Sequence, residues 1–476
     1  MRFSFLSSRL LSVPARPLRT AFGVVGLVMV AGCSGGPLGG GLFGGDDTTE
    51  IDLNDDGRIP VLALEDIVKA DARYAGLSVS TPPSYVNNSW PQPGGEADHT
   101  LHHLSAELGF DLAWQADVGK ASNRLELVLA PPVIADGKVY VVDAEAKVSA
   151  FDEEDGSLVW RTELTQDVSE RFRLQEMFQR PKAAQEGFGG GVAYEGGTIF
   201  VSSGFGFVAA LDAETGEQQW LTKTDAPIRT PPTAYRGSVY ATTITNDFLS
   251  FDQETGEKNW NFQSFEEAAR ILSSSSAAAA GDLVVAPFSS GELVAFLTEN
   301  GRPLWTDSLV RNAQLTALST LNDIAGSPVI DRGLVYAVSH AGQLVAIDIR
   351  SGDRVWAVSV AGLQMPWVAG DFIYLVSVDS ELVCVSREHG AIVWVSQLRK
   401  HEKVKKKKGR IAWAGPVLAG DHLVLVSSAG ELVKVAPTDG EIIETKKIKE
   451  GSLVSPVVSG EKIYVLTQKG KLRAYQ

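Results

Sequence analysis

Cysteine is nearly absent from this sequence: only Cys33 and Cys384 occur among 476 residues. Two cysteines allow one disulfide at most, so a fold held together by many disulfides is excluded. Cys384 stands in the apolar run ELVCV, which is typical of a strand. We therefore expect Cys384 to be a small buried apolar side chain and not a reactive thiol.

Positive charge and long apolar runs are also in short supply. The chain has 58 acidic residues against 43 lysines and arginines, which gives a formal net charge of −15. This excess of negative charge argues against general nucleic-acid binding. One apolar stretch near the N-terminus, residues 21–32, is too short and too rich in glycine for a comfortable membrane span.

That stretch follows four arginines and no acidic residue, which is typical of a secretory signal. The sequence Val30-Ala31-Gly32-Cys33 resembles the lipobox of bacterial lipoproteins, in which the signal is cut before an acylated cysteine. The resemblance implies a signal peptide over residues 1–32, a lipid anchor on Cys33 and no disulfide partner for the other cysteine. Ser34, in place of aspartate, implies sorting to the outer membrane. An ordinary signal cleaved nearby is the alternative.

The next segments contain no repeats. Residues 33–58, starting with the lipidated cysteine, are rich in glycine and aspartate, which predicts a flexible tether. Residues 59–110 are expected to form an extension that packs on the folded body. His99, His102 and His103 suggest a metal site, but no cysteine or clear fourth ligand joins them. We therefore expect a solvated loop there, and no metal.

One short phrase recurs along the remaining chain. The sequence LDAETGEQQW at residues 211–220 returns as FDQETGEKNW at 251–260. A glycine four residues before a tryptophan marks six copies: Gly156/Trp160, Gly216/Trp220, Gly256/Trp260, Gly301/Trp305, Gly352/Trp356 and Gly390/Trp394. A seventh copy has Gly440 but carries Glu444 in place of the tryptophan. Self-similarity at this spacing indicates a repeat architecture.

Each copy belongs to a unit of four short strands. An apolar run such as KVSAF precedes each glycine, a second such as KVYVV precedes that one, and a third often follows a proline. The phrase itself suits a tight turn, because aspartate bonds its own backbone and glycine accepts a positive φ. The phrase therefore predicts the turn between the two outer strands of a blade. Its tryptophan is expected to pack against the neighbouring blade.

The number of units predicts a closed ring. An eighth unit at residues 455–475 stops before its outer strand, while residues 111–115 look like an outer strand that no other strands of a unit precede. Pairing these two strands would complete the last blade and hide both sheet edges. We therefore predict an all-β, eight-bladed β-propeller over residues 111–476, with four-stranded antiparallel blades closed by the N- and C-terminal strands. This gives about 46 residues per unit, close to propeller-blade size.

The repeats resemble the pyrroloquinoline-quinone type, which occurs in quinoprotein dehydrogenases and in the BamB family of the outer-membrane β-barrel assembly machinery. The resemblance covers roughly residues 85–476, and the lipobox, short tether and eight blades are more similar to BamB. It implies a non-catalytic scaffold without a cofactor, lipid-anchored at the periplasmic face of the outer membrane. Its expected partners are the POTRA domains of BamA, other Bam subunits and unfolded outer-membrane protein precursors.

Two other functions stay open. The dehydrogenases hold their cofactor with an adjacent-cysteine disulfide, acidic and amide calcium ligands and a catalytic aspartate. This sequence has no adjacent cysteines and no matching acidic cluster outside its linker and turns. A propeller that binds cell-wall polysaccharide or another envelope protein would use a basic or aromatic groove, and the sequence does not single one out.

Insertions between blades are the expected binding face. In the BamB family, the loops before two successive blades contact BamA, through leucine and arginine from one loop and acidic residues from the next. The resemblance carries this role to Arg270, Ile271, Leu272 and Asp323, whereas the second acidic position of the family falls on Ala325. An arginine flanked by apolar residues also fits an interface anchor on physical grounds. A solvated arginine on a loop is the alternative.

Positive charge is concentrated in residues 399–410, which contain eight basic residues and one acid. Such a run suits anionic lipid headgroups or an acidic partner. A solvated, partly disordered loop is the more common form of a charge run, and we expect one here.

Overall fold

Each predicted unit forms its own sheet in the computed structural model, which describes residues 68–74, 76–121, 130–164, 189–266, 275–310 and 322–476. These residues contain eight sheets of four strands and one two-stranded hairpin. The predicted all-β, eight-bladed propeller is therefore confirmed. The predicted signal peptide, Cys33 and the tether lie outside the described residues. In the part of the chain that is described, no helix is long and apolar enough to cross a membrane.

Blades 1 to 4 follow one another along the chain. Blade 1 consists of β2 (Val133–Ala135), β3 (Lys138–Val142), β4 (Lys147–Asp152) and β5 (Leu158–Glu163). Blade 2 consists of β6 (Gly190–Glu195), β7 (Thr198–Ser203), β8 (Phe207–Asp212) and β9 (Gln218–Lys223). Blade 3 consists of β10 (Thr233–Tyr235), β11 (Ser238–Thr242), β12 (Asp247–Asp252) and β13 (Lys258–Gln263). Blade 4 consists of β14 (Ala278–Ala280), β15 (Leu283–Pro287), β16 (Glu292–Leu297) and β17 (Pro303–Ser308).

Blades 5 to 8 continue the order, with a hairpin between blades 6 and 7. Blade 5 consists of β18 (Val329–Asp331), β19 (Leu334–Val338), β20 (Leu344–Asp348) and β21 (Arg354–Val358). Blade 6 consists of β22 (Trp367–Ala369), β23 (Phe372–Val376), β24 (Glu381–Ser386) and β25 (Ile392–Gln397). The hairpin consists of β26 (His401–Lys403) and β27 (Lys408–Arg410). Blade 7 consists of β28 (Trp413–Ala419), β29 (His422–Ser427), β30 (Glu431–Val435) and β31 (Ile442–Lys447). Blade 8 consists of β32 (Val457–Ser459), β33 (Lys462–Leu466), β34 (Lys471–Tyr475) and β1 (Leu112–Asp117).

The blades define two faces of the ring. The first strands of successive blades contact one another, so these strands line the axis. The strands of each blade alternate in direction, so two kinds of connection lie on each face. The turn face carries the turns between first and second strands and between third and fourth strands. The loop face carries the connections from the fourth strand of one blade to the first strand of the next, together with the loops between second and third strands.

The ring is closed by the two ends of the propeller chain. β1 pairs antiparallel with β34, with Ala116 opposite Leu472 and Asp117 opposite Lys471. The backbone N–H of Asp111 donates to the carbonyl of Gln476 at 2.8 Å, and the reverse bond is 3.0 Å. The predicted closure is confirmed, and no edge of blade 8 is left unpaired at this junction.

The recurring tryptophan joins seven of the eight blades to the next, as predicted for the copies that carry it. Trp160 Nε1 donates to the carbonyl of Ala213 in blade 2 at 3.0 Å. Gly216 has φ +72°, and a Cβ on it would lie 2.5 Å from the Trp160 ring. Six further tryptophans make the same bond to the next blade: Trp114 to Glu153, Trp220 to Gln253, Trp260 to Thr298, Trp305 to Ile349, Trp356 to Arg387 and Trp394 to Pro437. The glycine is therefore required both by its backbone angle and by the ring above it.

Glu444, the exception to the repeat, has a structural explanation. It lies on β31, the outer strand of blade 7, and faces blade 8. In blade 8 the third and fourth strands are the two ends of the chain, so no turn offers a carbonyl to a tryptophan. Glu444 instead pairs with Lys434 on the adjacent strand, with 2.6 Å between Oε2 and Nζ.

The core consists mainly of apolar residues of the inner three strands of each blade. Outer-strand tryptophans such as Trp160 and Trp305, and Trp90 from the residues before the propeller, also belong to it. Cys384 belongs to it: the residue lies in β24, is 0% exposed, and burial raises the pKa of its thiol. The prediction of a small buried apolar side chain is confirmed.

One segment of the predicted extension, residues 87–104, contacts the first strand of every blade and is here called the ring segment. Its contacts follow blade order: Asn87 with blade 8, Trp90 with blade 1, Pro91 with blade 2, Gln92 with blade 3, Ala97 with blade 4, Asp98 with blade 5, His102 with blade 6 and Leu104 with blade 7. Most of these bonds are to the middle residue of a three-residue first strand, such as Ile134 or Ile330. The free edge of each first strand has no further strand of its own blade to pair with. The ring segment thus supplies hydrogen-bond partners for backbone groups on that edge.

The prediction that His99, His102 and His103 form a solvated loop is wrong, because they belong to the ring segment. His99 and His103 are 2% and 1% exposed, and His102 is half-buried. His99 Nδ1 lies 2.6 Å from the carbonyl of Pro328, so Nδ1 carries the proton and donates. Among the described residues, no group of three or more histidine, cysteine or acidic side chains is placed to hold a metal.

Buried His99 predicts a loss of stability in mild acid. Burial lowers the pKa of His99 to about 4, whereas the unfolded chain titrates near 6.5. Protonation therefore favours the unfolded chain: the stability is complete above pH 6.5 and falls as the pH drops from 6.5 towards 4. The expected loss is about 3 kcal/mol at pH 4.

Urea unfolding of wild type and His99→Asn from pH 7 to pH 4 measures this effect. Asparagine keeps a donor for the Pro328 carbonyl and tolerates the positive φ of +65° at this position. Wild type should lose about 3 kcal/mol more than the variant over this range. Parallel pH curves for the two proteins would contradict the assignment.

Candidate partner-binding face

The connections that the sequence singled out run from the fourth strand of one blade to the first strand of the next, so their described ends lie on the loop face. Arg270, Ile271 and Leu272 fall between β13 and β14 in the chain and lie outside the described residues. Their role in partner binding stays a prediction. Asp323, which precedes β18, is among the described residues.

Asp323 is buried and holds an arginine from another connection. Its carboxylate is 1% exposed, and its Oδ1 lies 3.2 Å from Nη2 of Arg229, whose side chain is 6% exposed. A second contact, Arg229 Nη1 to Asp323 Oδ2, is 3.5 Å. Arg229 leads into blade 3 and Asp323 into blade 5, so the ion pair joins the connections into two blades that are not adjacent. Removal of the Asp323 carboxylate would take this counter-charge away from the buried Arg229 guanidinium.

Asp323 was expected to contact the partner directly, and its burial is not compatible with that role. A carboxylate that is 1% exposed and bonded to Arg229 does not present itself to a partner. It fixes the connection that leads into blade 5, which is a positioning role. Ala325, at the second acidic position of the family, is also buried. Nothing in the sequence points to Arg229, because it lies 94 positions from Asp323 and belongs to no motif.

Phe265 is the apolar side chain most exposed to solvent on this face, at 75%, among the described residues. It follows β13 directly, and its carbonyl accepts a bond from Asn246 Nδ2 at 2.6 Å, which fixes the backbone there. In the chain it stands five residues before Arg270. The sequence signal was available: a single phenylalanine in the polar stretch QSFEE.

A small cavity of about 230 Å³ lies on the ring axis. Connections that lead into the first strands of blades 1, 5, 6, 7 and 8 line it, and the ring segment closes it with Trp90, Pro93 and Gly94. Trp90 stacks on Trp367 with 6.3 Å between ring centroids. The lining is mostly apolar, with Trp413, Met365 and Leu453 among its residues.

The axial cavity does not fit a quinone cofactor with its calcium ion. The polar side chains among its lining residues are Ser327, Gln364 and Ser455, and none is charged. Calcium in proteins is held by carboxylates and carbonyl oxygens, and an anionic quinone requires cationic partners. The ring segment also fills space on the axis. We therefore derive no redox step at this position.

The basic run forms a β-hairpin and not the expected irregular loop. His401 pairs with Arg410 and Lys403 with Lys408 across β26 and β27, and residues 401–410 are here called the basic hairpin. The base is fixed by Trp413 Nε1, which donates to the carbonyl of Arg399 at 3.0 Å. From Glu402 to Arg410 every residue is exposed, so the expectation of a solvated run holds.

The family model and the two relatives described here carry the same description. The sequence model of the family described as Outer membrane protein assembly factor BamB matches residues 98–178, 171–396 and 398–476. The protein of that name from Moranella endobia is 25% identical over 343 residues, which cover 72% of this chain and 84% of that protein. The one from Yersinia pestis is 24% identical over 363 residues, which cover 76% of this chain and 88% of that protein.

Solved structures show the same fold with different functions. BamB from Moraxella catarrhalis superposes with a TM-score of 0.58 at 19% identity, over 76% of this chain and 97% of that chain. A europium-containing methanol dehydrogenase superposes with a TM-score of 0.63 at 14% identity, over 79% of this chain and 89% of that chain. At these identities the superpositions establish the propeller fold alone, which serves both scaffolds and enzymes. The sequence model, in contrast, matches most of the chain, and on that ground the chain belongs to the BamB family of outer membrane protein assembly factors.

Proposed function

We propose that this protein is a non-catalytic scaffold lipoprotein of the outer-membrane β-barrel assembly machinery. The match to the BamB family model over residues 98–476 is the observation that carries the proposal. Cys33 anchors the chain at the periplasmic face of the outer membrane, and the tether of residues 33–58 gives the propeller its reach. The propeller binds the POTRA region of BamA and other Bam subunits, and so aids the folding and insertion of outer-membrane proteins.

BamA binds the loop face at the connections that lead into blades 4 and 5. Phe265 supplies an exposed aromatic side chain, and in the sequence it stands five residues before Arg270, which Ile271 and Leu272 follow. Aromatic residues and arginine are the residue types that contribute most of the binding energy in protein interfaces. Asp323 supports this surface from below, because its ion pair with Arg229 holds the connection into blade 5.

The rigidity of the ring explains how a protein without catalytic groups aids assembly. A tryptophan ties seven of the eight blades to the next, and the two end strands complete blade 8, so the loop face stands on a closed ring of sheets. A preformed surface loses little entropy on binding. The lipid anchor adds a second attachment, which makes the contact with a membrane-embedded partner effectively intramolecular.

Titration of the purified POTRA region of BamA with the mature chain tests the site. Phe265→Ala and Arg270→Glu should each weaken binding at least about tenfold, which corresponds to about 1.4 kcal/mol. The control is Arg302→Glu, which makes the same charge change at an exposed position on the turn face of blade 4. It should bind as wild type does.

Each other outcome has a definite meaning. If wild type binds and both loop variants bind as tightly, the site is misplaced while the proposed function stands. If wild type does not bind the POTRA region at all, the proposed partner is wrong.

A further inference from the structure

We propose that the basic hairpin docks on the anionic phospholipid surface to which the chain is anchored, as a second membrane contact. The proposal rests on the lipid-anchored placement proposed above. It assigns a role to a feature that the contact with BamA does not use, because the hairpin leads into blade 7 and the BamA site lies at blades 4 and 5.

The lysines of the hairpin are not neutralised by the protein. Five of them are exposed, and in the described part of the chain none of the five has an ion pair: Lys403, Lys405, Lys406, Lys407 and Lys408. The arginines at the base behave differently. Arg399 Nη2 lies 3.2 Å from Glu431 Oε1, and Arg410 Nη2 lies 3.7 Å from Asp379 Oδ1. Positive charge is thus balanced at the base and unbalanced at the tip.

The tip also presents an apolar side chain. Val404 is 65% exposed and begins a single 3₁₀ turn, Val404–Lys406. Lys407 closes the turn with φ 47°, and its N–H donates to the carbonyl of Val404 at 3.2 Å. An apolar residue framed by lysines suits the boundary between headgroups and acyl chains, where the apolar part inserts and the ammonium groups meet phosphates.

The shape of the hairpin favours a membrane over an acidic protein. A stable protein interface buries about 800 Å² on each partner, from about 20–30 residues. A hairpin of two three-residue strands and one turn offers far less surface. A membrane needs no complementary shape, and each lysine that comes close to an anionic surface contributes independently.

The base holds the hairpin in a fixed direction. Ile411 and Trp413, which follow the hairpin, are 2% and 6% exposed. The N–H of Ile411 donates to the carbonyl of Lys400 at 2.9 Å, which closes the base. Docking therefore orders few additional groups. Since the chain as a whole is negative, the hairpin would also decide which side of the propeller faces an anionic surface.

Sedimentation with lipid vesicles tests the proposal without the anchor. The protein is the mature chain, residues 33–476, with Cys33→Ser, and the vesicles contain phosphatidylethanolamine with or without phosphatidylglycerol. The test variant changes four hairpin lysines to glutamine: Lys403, Lys405, Lys406 and Lys408. The matched control changes four exposed lysines elsewhere to glutamine: Lys223, Lys258, Lys447 and Lys449.

The expected result is selective loss of binding. Wild type and the control should bind the phosphatidylglycerol vesicles equally and the neutral vesicles weakly. The hairpin variant should lose at least about 50-fold in partition coefficient, because each lysine near the surface contributes about fivefold. Binding of wild type should also weaken as salt is raised.

A second measurement reports on the tip itself. A Val404→Cys variant of the same protein, labelled with an environment-sensitive dye, should show a blue shift with phosphatidylglycerol vesicles. Cys384 is completely buried and does not compete for the label. Titration of the POTRA region with the hairpin variant should give the wild-type affinity, which separates this proposal from the proposed function.

Three results would overturn the proposal. One is wild-type protein that does not bind phosphatidylglycerol vesicles, and another is a hairpin variant that binds them as wild type does. The third is a hairpin variant that keeps vesicle binding and loses binding to the POTRA region, which would make the hairpin a protein contact.

Discussion

Gly256→Ala is expected to destabilise the propeller by about 4 kcal/mol, whereas Gly237→Ala in the same blade should cost about 1 kcal/mol. Both glycines have positive φ, +70° at Gly256 and +81° at Gly237. A left-handed backbone costs an ordinary residue about 1–2 kcal/mol, and both variants incur this cost. They differ in what the new methyl group meets.

The space around the two positions decides the difference. A Cβ on Gly256 would lie 2.5 Å from the ring of Trp220, while nothing lies within 4 Å of a Cβ on Gly237. The first variant must push Trp220 away from its bond to the Gln253 carbonyl, which is 2.9 Å in length. Overpacking of this kind adds about 1–3 kcal/mol. The free energy of unfolding of both variants, measured in urea, checks the prediction; equal values would mean that the blade-to-blade packing does not depend on the glycine.

Gln92→Leu should cost about 3 kcal/mol, because it removes three hydrogen bonds of a buried side chain at once. The side chain is 3% exposed. Nε2 donates to the carbonyls of Tyr194 and Ala234, and Oε1 accepts from the N–H of Ala234, each at 3.1 Å. Leucine is close in volume and leaves these backbone groups of blades 2 and 3 without partners, which is the costly case.

Gln263→Leu is the matched control for Gln92→Leu. Gln263 also donates to two backbone carbonyls, those of Thr245 and Ser264, but it is exposed, so water replaces the lost bonds. Its loss should cost less than about 1 kcal/mol. Similar losses in both variants would show that the ring segment contributes nothing particular to the stability of the propeller.

The fold was predictable because each repeat encodes its own turn. In blade 2, Asp212 Oδ1 accepts from the N–H of Glu214 at 3.0 Å and from that of Thr215 at 2.8 Å, and Gly216 completes the turn. These contacts join residues that are close in sequence, so one copy of the phrase is enough to predict the turn. The recurrence of the phrase supports that prediction. The closing strand was predictable from the strand count. The last unit, residues 455–475, lacked an outer strand, and residues 111–115 formed an outer strand that belonged to no unit.

The ring segment was not predictable, because it occurs once and its partners are distant. His99 bonds to Pro328, which is 229 positions away, and Asn87 bonds to Val458, which is 371 positions away. No periodicity marks a segment that forms irregular contacts with eight different blades. A polar stretch with three histidines therefore looked like a solvated loop, although burial among the first strands determines its structure.

The candidate site was predictable only in part, for a related reason. The insertions identified the loop face, but the spacing of residues does not show which side chains point outward. Asp323 was expected on the surface, and its ion pair with Arg229 places it inside. Phe265 carries no motif, and its exposure became visible only once the strand before it had been placed.

The two proposed contacts use different parts of the loop face. The proposed BamA site is at the connections into blades 4 and 5, and the basic hairpin leads into blade 7, so two or three blades separate them. A partner embedded in the membrane and the membrane surface itself can therefore be engaged together. Cys33 would keep both within reach through the tether.

Affinity isolation of the chain from detergent-solubilised envelopes, with partners identified by mass spectrometry, tests the central claim most directly. We expect BamA and further Bam subunits to be recovered with the wild-type chain. Recovery of other envelope proteins or of cell-wall polysaccharide, with no BamA, would contradict it. The propeller would then stand as a fold whose function lies elsewhere in the envelope.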